Sequence, residues 1–417
     1  MRLTLAALGS FSAVCAFAQS TASSDDQYRQ GLYQRETGQP YSAIETLQSL
    51  LAADPSLNRA RLELAVSYYR TLNFAKAKAE AQAVLNDPKT PEPVRLSVLS
   101  FLKQLELEEK AQFGKPHRFE PSFSLSALYD SNVNAGPDSA LLSGGLQLDP
   151  GSTAKADSGY AVQAGLNHSW TAPVAVRMGE STGRFGWNSQ VSGYYKGYTR
   201  LSDYNLGVAT VATGPTLVVG QGWRGNVNFQ ADRLTLGDKA LALYSSISPS
   251  STWSLGKGSE LTVDAQWVYR NFDRDQDQGR TSHYNSVGLS YGGLFNQNRL
   301  ALQGGVRLFS ESAKESRFSN SGYEYFVGGR QNVWTGGDLF ARASWRHSGY
   351  EGDEVFFGIP RRETEQRLEL GASHQYQAGW LDKWQTAATL TRVHNQANLD
   401  LYRYDRDMVQ VTLGRSY

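Results

Sequence analysis

The sequence is short of sulfur and of net charge, and each shortage excludes something. Its only cysteine is Cys15, and there are 3 methionines in 417 residues. Cys15 lies inside a leader-like segment, so the mature chain contains no cysteine and a zinc site lacks its usual thiolate ligands. The six histidines, His117, His168, His283, His347, His374 and His394, show no close pairing along the chain. Neither a metal nor any other cofactor is expected. The formal net charge of +1 leaves no basic footprint for nucleic acid and no acidic tail. Beyond the leader no apolar run reaches the roughly 20 residues of a transmembrane helix. A chain of this kind can enter a membrane only as closed strands.

What is abundant points the same way. Aromatics make up 12%, with 22 Tyr and 9 Trp, alongside 40 Gly, a balance that suits a Tyr- and Gly-rich strand protein better than a helical enzyme. Residues 1–18 read as a secretory signal: Arg2, an apolar run from Leu3 to Phe17, and small residues at Ala16 and Ala18 before cleavage at Gln19. Ser12 stands where an acylated Cys15 would need a Leu-like residue, so the lipoprotein reading is set aside.

Residues 25–112 carry apolar positions at helical spacing and repeat themselves. Gly31 and Ala65, Ala43 and Ala77, Leu47 and Ala81, and Leu51 and Leu85 match at one register, and Pro55 and Pro88 close the two units. Small residues at helix crossings with a period of about 34 are the tetratricopeptide pattern. A third helix, Val94 to Lys110, is expected to cap the stack through Leu96, Leu99, Leu102 and Leu105. Such a module offers a concave surface for a peptide or partner helix. Residues 113–121, with Gly114, Pro116 and Pro121, read as a linker.

From residue 118 to 417 the period becomes two. Trp223, Val227, Phe229 and Ala231 alternate with Arg224, Asn226, Asn228 and Gln230; Leu261, Val263, Trp267 and Tyr269 alternate with Thr262, Asp264, Gln266 and Arg270. The segments run to about ten residues or more, the length a tilted strand needs to cross a bilayer. About fourteen can be counted, which predicts an all-β outer-membrane barrel of antiparallel strands beginning near Phe119. With the helical module in the periplasm, the turns on its side (Gln221-Gly222, Lys257-Gly258, Asn296 to Asn298, Thr335 to Gly337) are expected to be short. The outer loops (Asn132 to Asp157, Phe272 to Thr281, Glu311 to Ser321, Ser348 to Arg362) are expected to be long and extracellular. Asp264, Arg270, Arg307, Arg342, Arg346, Arg367 and Glu369 are candidate lumen charges that either brace the interior or set what passes. Val409, Val411, Leu413 and Tyr417 share one face of the last strand, with Arg415 a departure on it. The terminal aromatic resembles the signal by which barrel-assembly machinery recognises its substrates.

Helical repeats followed by such a barrel, with a first strand ending Leu128-Tyr129-Asp130-Ser131-Asn132-Val133-Asn134 and Pro137 just beyond, resemble the surface lipoprotein assembly modifier family, the outer-membrane component of type XI secretion. The resemblance covers essentially the whole mature chain. It implies a protein translocator whose partners are client surface lipoproteins or soluble haem- and metal-scavenging proteins, with the repeats receiving the client. An outer-membrane pore or polysaccharide export channel is the rival reading.

Two patterns that mimic chemistry are set aside. Gly179-Glu180-Ser181-Thr182-Gly183 matches a nucleophile elbow, but in a polar turn between strands rather than between strand and helix. Asp130-x-Asn132-x-Asn134 and Asp273-x-Asp275-x-Asp277 open like a calcium loop. Ala135 and Leu141, and Gln278 and Tyr284, stand where that loop needs Gly and Glu. These stretches read as Asx-rich loop openings. No catalytic residue is assigned.

Overall fold

A computed structural model describes residues 23–142, 145–220 and 222–416; the signal segment 1–18, Gln221 and Tyr417 lie outside them. The chain divides into two compact units, residues 1–109 and 110–417.

The first unit is helical: α1 Ser24–Glu36, α2 Pro40–Ala53, α3 Asn58–Arg70, α4 Phe74–Asn86 and α5 Glu92–Phe113. α3 opens 34 residues after α1 (24 to 58) and α4 34 after α2 (40 to 74), so two helical hairpins share one spacing. The repeated small residues lie where helices touch: Ala43, Leu47, Ala65, Ala77 and Ala81 are fully buried. At Gly31 a Cβ would come within 2.8 Å of Leu47. Ser23 and Asn73 cap α1 and α4 by accepting from the backbone N–H of Asp26 and Lys76, which satisfies donors that helix starts leave orphaned.

The third helix differs from expectation in extent and in face. It starts at Glu92 and runs to Phe113, into the segment read as linker. Val98 and Leu105 are buried, with Val94, Phe101 and Leu102 against the Ala65–Ala81–Val84 cluster. Leu96 and Leu99 are instead 59% and 49% exposed. Leu102 and Leu105 pack as expected, but the stripe toward the start of the helix runs through Val94, Val98 and Phe101 rather than through Leu96 and Leu99.

The second unit contains β1 His117–Asp130, β2 Asp157–Thr171, β3 Val176–Met178, β4 Ser181–Tyr198, β5 Leu206–Val219, β6 Trp223–Leu236, β7 Lys239–Gly256 and β8 Ser259–Phe272. It continues with β9 Ser282–Phe295, β10 Leu300–Ala313, β11 Asn320–Trp334, β12 Gly337–Asp353, β13 Pro360–Gln375, β14 Trp384–Ala397 and β15 Tyr404–Ser416. Each long strand pairs antiparallel with its neighbours, and β1 pairs with β15 from Ser122↔Ser416 to Asp130↔Met408. The ring of fourteen long strands is thereby closed. The short β3 was not expected; it sits beside the start of β4, where β2 has ended at Thr171↔Gly186. β1 begins at His117, inside the expected linker, and Pro121 is an in-register strand residue opposite Leu166.

Closure follows from the alternation. With no water to satisfy backbone groups inside a bilayer, a sheet must have no edge. Phe123, Leu125 and Tyr129 of β1, Trp267 and Tyr269 of β8, and Leu368 and Leu370 of β13 are exposed on the outer face. The intervening residues turn to the lumen. Val409, Val411 and Leu413 share that outer face, opposite Tyr129, Ala127 and Leu125. Among the described residues no helix is long and apolar enough to cross a membrane.

The expected asymmetry of loops is only partly present. At the end where β1 starts, Lys257-Gly258 and Thr335-Gly336 are two-residue turns, but the connections 172–180 and 376–383 are longer. At the other, distal end the connection 131–156 is long, yet β6 and β7 meet through Gly237-Asp238 alone. Both have positive φ, 58° and 60°, as a tight hairpin with right-handed strand twist requires. The loops expected at Glu311–Ser321 and Ser348–Arg362 are shorter because the strands extend to Ala313, Asn320, Asp353 and Pro360. Two further prolines lie inside strands. Pro215 and Pro249 keep register partners on one side, Trp187 and Val227, while the β5–β6 register skips Pro215 and the β7–β8 register skips Pro249, as suits a residue with no N–H to give the ladder.

Replacing Ala81, fully buried among Ala65, Val84 and Val98, with leucine is expected to overpack the helix crossing by about 1–3 kcal/mol. Thermal unfolding of the full chain followed by helical circular dichroism would show an earlier helical transition, while the barrel signal stays where it was.

Candidate functional site

The lumen wall is divided. On β4, β6 and β7 amides and hydroxyls predominate, among them Asn188, Gln190, Asn226, Asn228, Ser246 and Ser250, with Lys196, Arg224 and Asp232 as charges on the same face. On β8 and β10–β13 it presents charges. All seven candidate lumen charges fall on inward positions of these strands, and the structure sorts them into three groups.

The first group is paired across a gap. Arg307 donates to Asp264 at 2.6 Å, although β9 runs between their strands. Gly288, aligned with both, makes this possible: a Cβ there would lie 2.6 Å from Asp264 Oδ1. The second group is Arg270, which donates to Glu311 at 2.8 Å and lies 4.7 Å from the Tyr284 ring centroid. Ser282 donates a further hydrogen bond to Glu311 at 2.6 Å. These pairs brace the wall.

The third group is different. Arg342 lies over the Phe326 ring at 4.7 Å and Arg346 over Phe309 at 4.0 Å. Among the described residues neither guanidinium has a hydrogen bond or a carboxylate within ion-pair distance, and the same holds for Glu324 and Glu369. Arg367 reaches Glu365 at 3.7 Å. With Ser344 these residues line a lumen cavity of about 360 Å³. In register, Glu324 stands opposite Arg346, which stands opposite Glu365; Ser344 faces Arg367, and Arg342 faces Glu369. Sequence reading missed Glu311, Glu324 and Glu365, and it had no role for Phe309 and Phe326. The two phenylalanines occupy the polar face of alternating strands, and that breach of pattern was the available signal.

A second constellation closes the distal rim. Asp130 is fully buried and its carboxylate accepts from Arg406 Nε at 2.9 Å and Nη2 at 2.5 Å, from Tyr198 Oη at 2.7 Å and from the Asn132 backbone N–H at 3.1 Å. One side chain of β1 thus ties β15 on one side to β4 beyond β2 on the other. Ser131 accepts from the Asp407 N–H at 2.8 Å. Asn132 donates to the carbonyls of Gly136 (2.9 Å) and Asp405 (3.0 Å) and accepts from the Gly136 N–H (2.9 Å). Asn134 bonds Thr153 and Lys155 across the loop, each at 2.9 Å, and Val133 is buried while Tyr129 faces outward. Asp157, opposite Asp130 in register, accepts from Thr199 (2.7 Å) and from the backbone N–H of Arg200 and Leu201 (2.8 and 2.9 Å). The calcium-like triplet is therefore spent on protein hydrogen bonds of the Asx-turn kind. In the second triplet Asp273 pairs with Arg233 at 2.8 Å.

The histidines are not all isolated, contrary to the sequence reading. His117 Nδ1 and His168 Nε2 lie 2.9 Å apart in stacked rings, because β1 and β2 bring residues 51 apart into adjacent positions. Gly179–Gly183 forms the β3–β4 turn and the start of β4. Among the described residues no group of three or more His, Cys, Asp or Glu could hold a metal ion.

A closed antiparallel ring with an apolar outer face and a polar lumen is the architecture of an outer-membrane β-barrel, here carrying an N-terminal helical module. No family model matches the chain, and no curated protein does. Solved structures it is similar to include Pseudomonas aeruginosa OpdQ (7% identity, 72% of this chain and 98% of that one, TM-score 0.35). A Pseudomonas aeruginosa FadL homologue has 11% identity over 73% of this chain and 90% of that one, with a TM-score of 0.39. A loop L8 deletion mutant of Vibrio cholerae OmpT has 7% identity over 73% of this chain and 100% of that one, with a TM-score of 0.41.

Asp130→Asn leaves the Arg406 guanidinium, only 20% exposed at its side chain, without its counter-charge, at an expected cost of about 3–5 kcal/mol. Tyr198→Phe removes one neutral donor and is expected to cost about 1–3 kcal/mol. The temperature at which the folded barrel loses its fast electrophoretic migration should fall in both variants, and further for Asp130→Asn.

Proposed function

We propose that the protein is an outer-membrane translocator that helps export or surface-display client proteins, either surface lipoproteins or soluble haem- or metal-scavenging proteins. The observation that carries this reading is that one chain joins two helical hairpins of 34-residue spacing to a closed barrel with a polar lumen. A passive pore has no use for such a module, whereas a stack of tetratricopeptide-type hairpins in the periplasm receives extended segments or partner helices. The run Tyr129 to Asn134, which resembles that of the surface lipoprotein assembly modifiers, supports it. Its side chains clasp the long distal connection to β15, so the motif fixes the base of an extracellular loop. No catalysis or cofactor is involved; the further partners are the lipid bilayer and the barrel-assembly machinery that inserts the chain.

The amides and hydroxyls that predominate on the inward face of β4, β6 and β7 favour one rival, an outer-membrane pore or polysaccharide export channel, since such groups suit uncharged polar solutes.

Deleting residues 25–112 separates the two. Loss of a client from the cell surface with the barrel still inserted is the expected result; unchanged surface display of every lipidated or secreted protein, with reduced small-solute permeability, would leave the pore reading. The double variant Asp130→Ala, Asn132→Ala is expected to reach the membrane and to impair client export, measured by surface labelling of intact cells.

A further inference from the structure

We propose that the cavity around Ser344 is a binding site for zwitterions, ligands that carry an ammonium and a carboxylate on one short backbone, such as short peptides. This does not rest on the translocator reading; either a translocator or a pore could contain the site.

The charge arrangement carries the argument. Ser344 leaves a small side chain at the centre of the cavity, and Arg367 lies opposite it in register. Arg342 and Arg346 lie two residues to either side of Ser344 on the same face of β12, about 7 Å away each along the strand. Three guanidiniums therefore surround the hollow. Carboxylates stand beside them on the neighbouring strands, about 4.8 Å across the sheet: Glu324 on β11, Glu365 and Glu369 on β13. The formal charges of the lining balance, so the cavity has no net preference for an anion or a cation. What it has is both signs of charge on register-paired residues of adjacent strands, side by side as a short zwitterionic ligand presents them.

These charges are also available. Carboxylates and guanidiniums in such proximity ordinarily collapse into salt bridges, as Asp264 and Arg307 do at 2.6 Å. Arg342 and Arg346 lie over the rings of Phe326 and Phe309 instead. A cation held over a ring face keeps its N–H edge free to donate, with attraction to the ring compensating for the missing counter-ion. A planar guanidinium edge is the group that binds a carboxylate bidentately. Glu324 and Glu369, without hydrogen bonds of their own among the described residues, accept the ammonium. The lumen cavity of about 360 Å³ is at the lower end of small-ligand sites, enough for a dipeptide.

The test is titration calorimetry on the detergent-purified full chain with alanyl-alanine, N-acetyl-alanyl-alanine and alanyl-alanine amide. The dipeptide is expected to bind, and each blocked form to bind at least about tenfold more weakly, a loss of about 1.4 kcal/mol. Arg342→Gln with Arg346→Gln should abolish binding of the dipeptide. Glu324→Gln with Glu369→Gln should make it bind no better than its N-acetylated form. A peptide blocked at both ends and carrying one Glu and one Lys side chain identifies the source. Binding comparable to the dipeptide assigns the site to side chains of a polypeptide in transit, and failure to bind assigns it to free peptide termini. Absence of heat with wild type, equal binding of the three dipeptide forms, or unchanged binding in a correctly folded arginine double variant would overturn the proposal. Discrimination by the wild-type protein decides the matter even if a variant does not fold.

Discussion

Backbone hydrogen bonding inside a bilayer is the constraint from which the second unit follows. A strand buried in lipid has no water to satisfy its N–H and C=O groups, so every strand must have two neighbours and the sheet must return on itself. The β1–β15 pairing from Ser122 to Asp130 performs that return. Closure then gives each residue one of two surroundings, hydrocarbon or lumen, and the two-residue period in the sequence is the imprint of that choice. The exceptions have local causes. Pro215 and Pro249 interrupt ladders they cannot join, and Gly288 gives up its side chain so that Asp264 and Arg307 can meet above it.

The lumen charges divide according to what neutralises them. Asp264 and Arg307, and Arg270 and Glu311, are neutralised by each other and so stiffen the wall. Arg342 and Arg346 rest on aromatic faces and keep their donors. A phenylalanine on the polar face of a barrel strand looks like an error of patterning until the arginine above it is seen. The distal rim follows the opposite rule: Asp130 collects four hydrogen bonds and has no capacity left for a ligand.

The order of elements was legible because it depends on local regularities: helical spacing before residue 113, alternation after it, and the recurrence of small residues at a fixed interval. The inward direction of Asp264, Arg270, Arg307, Arg342, Arg346, Arg367 and Glu369 was legible for the same reason, since a side chain's face in a strand is set by parity. The packed stripe of α5 was read correctly at Leu102 and Leu105 and misread at Leu96 and Leu99, because leucines alone were followed and Val94, Val98 and Phe101 were not. Loop lengths at the distal end were overestimated where polar residues continue a strand past the membrane, as from Glu311 to Ala313 and from Ser348 to Asp353. Composition cannot distinguish a solvated strand from a loop.

Sequence alone therefore determined the architecture of this protein: helices, then a closed barrel, and which side of the wall each strand residue faces. Periodicity is a one-dimensional property with a three-dimensional meaning fixed by backbone geometry. Tertiary structure alone decided which charges meet. His117 reaches His168, Asp130 reaches Tyr198 and Arg406, and Arg346 lies over Phe309 because of strand register and the curvature of the ring. Register is a sum over all the turns and pairings of the barrel, and no single stretch of sequence encodes it.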